Sequence, residues 1–129
     1  MSIATKEVIV YYITPRNSYE ELFDRVRFAL VGHDYDRLTF GNGHWYGVTP
    51  NCKKQVAWFD RPETSNIGVT NFSYLIDPAF HVLRTISGNH VNRYSVIYIT
   101  SQIPIDDLFC ETDLLILSRA LKNITFFEL

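Results

Sequence analysis

The chain has 129 residues, 47% of them hydrophobic and 20% charged, with 12 Lys and Arg against 14 Asp and Glu. That size suits one domain, and that composition excludes a disordered tail, a collagen-like chain and a low-complexity linker. A net charge of −2 and a pI near 6.0 argue against a generally basic nucleic-acid binder and leave room only for a local basic face.

Residues 5–14 are rich in Val, Ile and Tyr and read as a buried first strand, stopped by Pro15. No basic start with a long apolar stretch precedes it, as a signal peptide would require. The longest apolar run, Val8 to Ile13, is far short of the roughly 20 residues that cross a bilayer. Cys52 and Cys110 are the only thiols, with no Cys-x-x-Cys spacing. The expectation is a cytoplasmic protein with two reduced thiols and no membrane association.

Ser18-Tyr19-Glu20-Glu21 fits a capping box, a hydroxyl followed three residues later by a carboxylate. Tyr19, Leu22, Phe23, Val26 and Leu30 follow at helical spacing, and Gly32 supplies the stop. Asn42-Gly43 is the pair favoured in a two-residue hairpin turn, because both positions need positive φ. That turn sets Gly41 against His44, Phe40 against Trp45 and Thr39 against Tyr46. One hairpin face then carries Leu38, Phe40 and Trp45 as core, and the other Arg37, Thr39, His44 and Tyr46.

Residues 55–60 read as another strand. Ile67 and Val69 alternate in one phase and Phe72, Tyr74 and Ile76 in the other, which predicts extended chain with a break near Asn71. Residues 79–86 fit helix or strand, Ser87-Gly88-Asn89 is a turn, and residues 93–100 form a strong buried strand. A last helix is expected from about Asp113 to Lys122, with Leu114, Ile116, Leu117, Ala120 and Leu121 on its inner arc, followed by a short strand over 124–128. The sum is a single α+β domain over 1–129, a mostly antiparallel twisted sheet of about 5–7 strands with an N-terminal and a C-terminal helix.

Several chemistries are absent. There is no phosphate loop, dinucleotide fingerprint, nucleophile elbow or His-Glu-x-x-His. His33, His44, His81 and His90 lie at no ligand spacing from either cysteine, so no metal and no cofactor are expected.

The densest polar stretch is residues 84–93, where Arg84 and Arg93 flank Asn89, His90 and Asn92. Guanidinium forks suit phosphate or carboxylate, and histidine moves a proton near neutral pH. Arg37 and Tyr46 join Arg84, Asn89, Asn92 and Arg93 as candidate binding residues, and His44 with His90 form a candidate acid/base pair. A different signal comes from the helices. Phe28 and Leu115 each fall on an otherwise polar helical face, as residues at an interface do.

The leading expectation is therefore a small soluble interaction protein that binds another macromolecule, with a protein partner or self-association. An inhibitor, immunity or anti-defence protein of bacterial or phage origin has this size. The alternatives are a metal-independent phosphodiesterase or ribonuclease using His44, His90 and the arginines, and a non-catalytic protein binding an anionic nucleotide or RNA.

Overall fold

A computed structural model describes residues 5–50 and 54–129. Among these, eight strands form one sheet in the order β6-β5-β3-β2-β4-β7-β1-β8. In chain order they are β1 (Ile9–Thr14), β2 (Tyr35–Gly41), β3 (His44–Tyr46), β4 (Val56–Asp60), β5 (Val82–Thr85), β6 (Gly88–Val91), β7 (Val96–Thr100) and β8 (Ile124–Glu128). The helices are α1 (Tyr19–Ala29), α2 (Val69–Ile76), α3 (Ile105–Leu108), α4 (Glu111–Ile116) and α5 (Ser118–Leu121).

The α+β class holds, but the sheet is mostly parallel rather than mostly antiparallel, and wider than the expected 5–7 strands. β2, β4, β7, β1 and β8 run parallel to one another and β3 runs parallel to β5, while the β2–β3 and β5–β6 pairs are antiparallel. The cause lies in the apolar runs of β1, β4 and β7. Strands covered on both faces are apolar in both phases, and parallel sheets are built from such strands.

Alternation sorts these residues. Tyr11, Ile13, Val56, Trp58 and Tyr98 belong with the cluster on one face, called the front, where Leu22, Val26 and Leu30 of α1 pack. Val10, Tyr12, Ala57, Phe59, Ile97 and Ile99 belong with the larger cluster on the back, under α2, α3, α4 and α5.

Helix α1 forms as its sequence dictates. Ser18 caps it by accepting a hydrogen bond from the Glu21 amide at 3.2 Å, and Gly32 beyond its end has φ 83°. The Asn42-Gly43 turn also holds, with φ of 52° and 77° and the expected register. Just past β3, Gly47 has φ 92°, and its backbone lies so close to the Arg37 carbonyl that a Cβ would overlap it.

Two local expectations need correction, and one open alternative is resolved. Residues 69–76 are helix α2, not extended chain: Phe72, Leu75 and Ile76 are buried at helical spacing on the back. The ambiguous residues 79–86 contain strand β5. The last helix breaks into α4 and α5 at Leu117, which is fully buried. Ile116, one step round the helix from the buried Leu117, is 57% exposed instead of core.

Candidate functional site

The chain leaves β1 toward the front, into α1, and leaves the adjacent β7 toward the back, into α3. Open α/β sheets place ligands at the carboxyl ends of strands where neighbouring connections part in this way. Here that point is a crevice of about 410 Å³ lined by Tyr19, Glu20, Phe23, Asp24, Asp60 and Arg61.

Asp60 and Thr100 end adjacent strands in register. Alternation from Trp58 turns Asp60 to the front. The Thr100 hydroxyl donates to Asp60 Oδ1 at 2.6 Å and accepts from Trp58 Nε1 at 2.9 Å and Tyr19 Oη at 3.3 Å. Arg37 donates to Asp60 Oδ2 at 3.2 Å, and its guanidinium lies 4.8 Å from each of the Phe23 and Trp58 rings. Arg61, with φ 55°, places its guanidinium 4.9 Å from the Tyr19 ring. Its Nε has no hydrogen-bond partner and faces Glu63 Oε1 at 3.5 Å.

The Asp60 side chain is 11% exposed. Burial pushes its carboxyl above the ordinary range and the Glu63 charge adds to that, while the Thr100 hydroxyl and Arg61 pull it down. The group is thus a carboxyl of raised proton affinity in a crevice. Its two oxygens already accept from Thr100 and Arg37, and no histidine lines the cavity. Of the residues picked out by sequence, only Arg37 reaches this network. Asp60, Thr100 and Tyr19 carried no sequence signal, since each sits in an ordinary apolar strand or helix start. Their convergence depends on parallel strand order.

The polar stretch 84–93 does not assemble as expected. Asn92 is fully buried and saturated. It accepts from Lys6 Nζ at 2.7 Å and the Tyr94 amide at 3.0 Å, and donates to the Tyr74 and Leu75 carbonyls at 2.8 Å each. It ties the end of α2 to β7 and has no lone pair or proton free for a ligand. Arg93 instead lies 5.7 Å from the Phe80 ring.

The two histidines do not converge. His90 pairs with Leu83 and shares its face, and Leu83 belongs to the back core with Trp45. His44 precedes Trp45 in β3 and so points to the opposite face, its Nδ1 2.9 Å from the Asn42 carbonyl. Arg84 and Asn89 do meet, as a cross-strand pair beside a groove of about 520 Å³ that Gly43, Asn71, Tyr74 and Val82 also line. Tyr46 is partly exposed on the face it shares with His44.

The two interface candidates are both in solvent, Phe28 at 81% and Leu115 at 73% exposed. They occupy different layers, α1 on the front and α4 on the back, so they are not one surface.

Phe28 has company. A helix is about 10 Å across and strands are about 4.8 Å apart, so one helix shields roughly two strands. The single front helix packs toward Trp58 of β4 and leaves the β1–β8 side open. An apolar groove of about 260 Å³ results, between Arg25, Val26 and Ala29 of α1 and Tyr11, Tyr98, Phe127 and Leu129. Tyr11 stacks on Tyr98 at 5.2 Å and meets Phe127 at 5.8 Å, forming the groove floor. Arg25 separates this groove from the outer surface of α1, where Phe28, Val31, Glu21 and Asp24 lie.

Cys110 is a free, exposed thiol, and Cys52 lies outside the described residues. Among the described residues, no helix is long and apolar enough to cross a membrane, and no group of His, Cys, Asp or Glu is placed to hold a metal ion. No protein-family model matches the chain, and no curated protein matches it.

Proposed function

We propose that this is a small interaction protein that acts by binding another macromolecule through the front of its sheet. One observation carries the reading: Phe28, 81% exposed near the C-terminal end of α1, stands on the helix that walls an apolar groove, and the single front helix leaves that groove uncovered. Burying such a ring against a partner contributes about 1.5–3 kcal/mol, and an apolar depression with a polar rim is how protein-binding surfaces are built. The crevice at Asp60 supports the same reading in a negative sense. Both Asp60 oxygens are engaged by Thr100 and Arg37, and a hydrolytic role resting on His44 and His90 lacks a shared cleft.

The test is a photo-cross-linking amino acid installed singly at positions 28, 127, 84 and 122 in cells that make the protein. Covalent adducts from 28 and 127, with none from 84 or 122, are expected. Adducts from neither 28 nor 127 overturn the reading. Adducts from 84 alone move the working surface to the Arg84–Asn89 groove.

A further inference from the structure

The groove of about 260 Å³ is apolar and has room for an aromatic side chain, and the same molecule displays one in solvent on the outer side of the helix that walls it. Phe28 cannot enter the groove of its own chain, because it points away from the sheet on the outer side of α1, with Arg25 between. A second copy related by a twofold axis offers Phe28 to the first and receives Phe28 in return. Such an isologous contact needs a projection and a recess on one surface of one chain, and the front has both.

Charge along α1 selects the orientation. The acidic groups Glu20, Glu21 and Asp24 lie in its N-terminal half, and the basic Arg25 and Arg27 in its C-terminal half. Only Asp24 and Arg27 form an ion pair within the helix, at 3.2 Å. Glu20, Glu21 and Arg25 have no ion-pair partner among the described residues. Two copies of α1 placed antiparallel run the acidic half of each along the basic half of the other, and helix termini of opposite polarity also meet. Parallel placement sets like charges together. A contact of standard size covers about 800 Å² per partner, roughly a tenth of the 7568 Å² surface.

From this we infer that the occupant of the front groove is a second copy of this chain, with the α1 helices antiparallel and each Phe28 seated over the Tyr11–Tyr98–Phe127 floor of the other. The inference rests on the reading of the front as the binding surface and names its partner.

Sedimentation equilibrium of the purified full chain tests it. A dimer of twice 15.0 kDa is expected at micromolar concentration. Phe28→Ala removes both seated rings at once and should dissociate it about a hundredfold to ten-thousandfold more readily, with circular dichroism unchanged. Leu115→Asp, on the back, should leave it intact. Arg25→Glu should weaken the dimer, and adding Glu21→Arg should restore it.

A wild-type chain that stays monomeric at 100-fold dilution and at high concentration overturns the second copy. If position 28 then still cross-links to a protein of another mass, the front remains the binding surface with a different partner. If position 28 cross-links to nothing, both statements fall. A dimer that survives Phe28→Asp and charge reversal at Arg25 is built elsewhere and also overturns the inference.

Discussion

The two faces of the sheet are finished to different degrees. On the back, four short helices cover a continuous core that includes Leu38, Trp45, Phe59, Phe72, Ile97 and Leu117. On the front, one helix covers a smaller cluster centred on Trp58 and leaves aromatic side chains partly in water. Length explains why the back needs several helices. None of α3, α4 and α5 exceeds two turns, so each covers little of the sheet and depends on its neighbours, whereas the longer α1, capped by Ser18, covers the front cluster by itself. Large exposed rings on the front are therefore not scattered surface residues but the margin of an incomplete layer.

Truncation should expose this difference most strongly. Phe72→Ala removes a fully buried ring that meets Phe109 edge-on at 5.0 Å, and unfolding by urea should show a loss of about 3–5 kcal/mol. The same change at Phe28 should move stability by less than about 0.5 kcal/mol. Similar losses at both positions would mean that α1 is packed on its outer side as well.

A smaller loss is expected at Asp77, which joins the helices of the back. Its carboxylate accepts from Arg119 Nε at 2.9 Å, also from Arg119 Nη2, and from His81 Nε2 at 2.6 Å. Asp77→Ala should cost about 1.5–3 kcal/mol by thermal or chemical denaturation, toward the low end because Arg119 is largely in solvent.

The carboxylates of the two faces should also respond oppositely to pH. Burial alone would raise Asp77, but hydrogen bonds and charge from Arg119 and His81 outweigh it and hold the carboxyl below its ordinary value. Its contribution to stability is present above the ordinary carboxylate range and is lost as pH falls through the lowered value. Asp60 has the reverse sign: its raised carboxyl contributes fully below the ordinary range, and that contribution is lost as pH rises through the raised value. Asp77→Asn should therefore flatten the acid limb of the stability profile. Asp60→Asn should remove a shallower decline on the other side of the carboxylate range. Matching slopes in the two variants would erase the distinction between the faces.

Features set by neighbouring residues were legible in the sequence. The Ser18 cap, the amphipathic order of α1, the exposure of Phe28 and the Asn42-Gly43 turn with its register all follow from interactions a few residues apart. Strand direction does not. β1 pairs with β7 and β8, far along the chain, and an apolar run looks alike in either direction. The only hint was the absence of alternation in β1, β4 and β7. Residues 69–76 failed for a related reason, since eight residues hold two turns of helix and give the periodicity little length to declare itself. The Asp60–Thr100–Trp58–Arg37 network depends on that strand order, so it stayed hidden. The polar stretch 84–93 was conspicuous by composition but proved partly structural, with Asn92 spent on the end of α2.

Gly47 gives the crevice a control point outside itself. The loop after β3 presses its backbone against the carbonyl of Arg37, and the Arg37 side chain on the same residue spans Phe23, Trp58 and Asp60. A side chain added at 47 must lever β2 away from that loop, and the displacement is delivered to a guanidinium resting against two touching rings. The hairpin is thus a tuning peg for the strand end. A change there would reset the tension on Arg37, one of the two cations, with Arg61, that join α1 to the carboxyl end of the sheet.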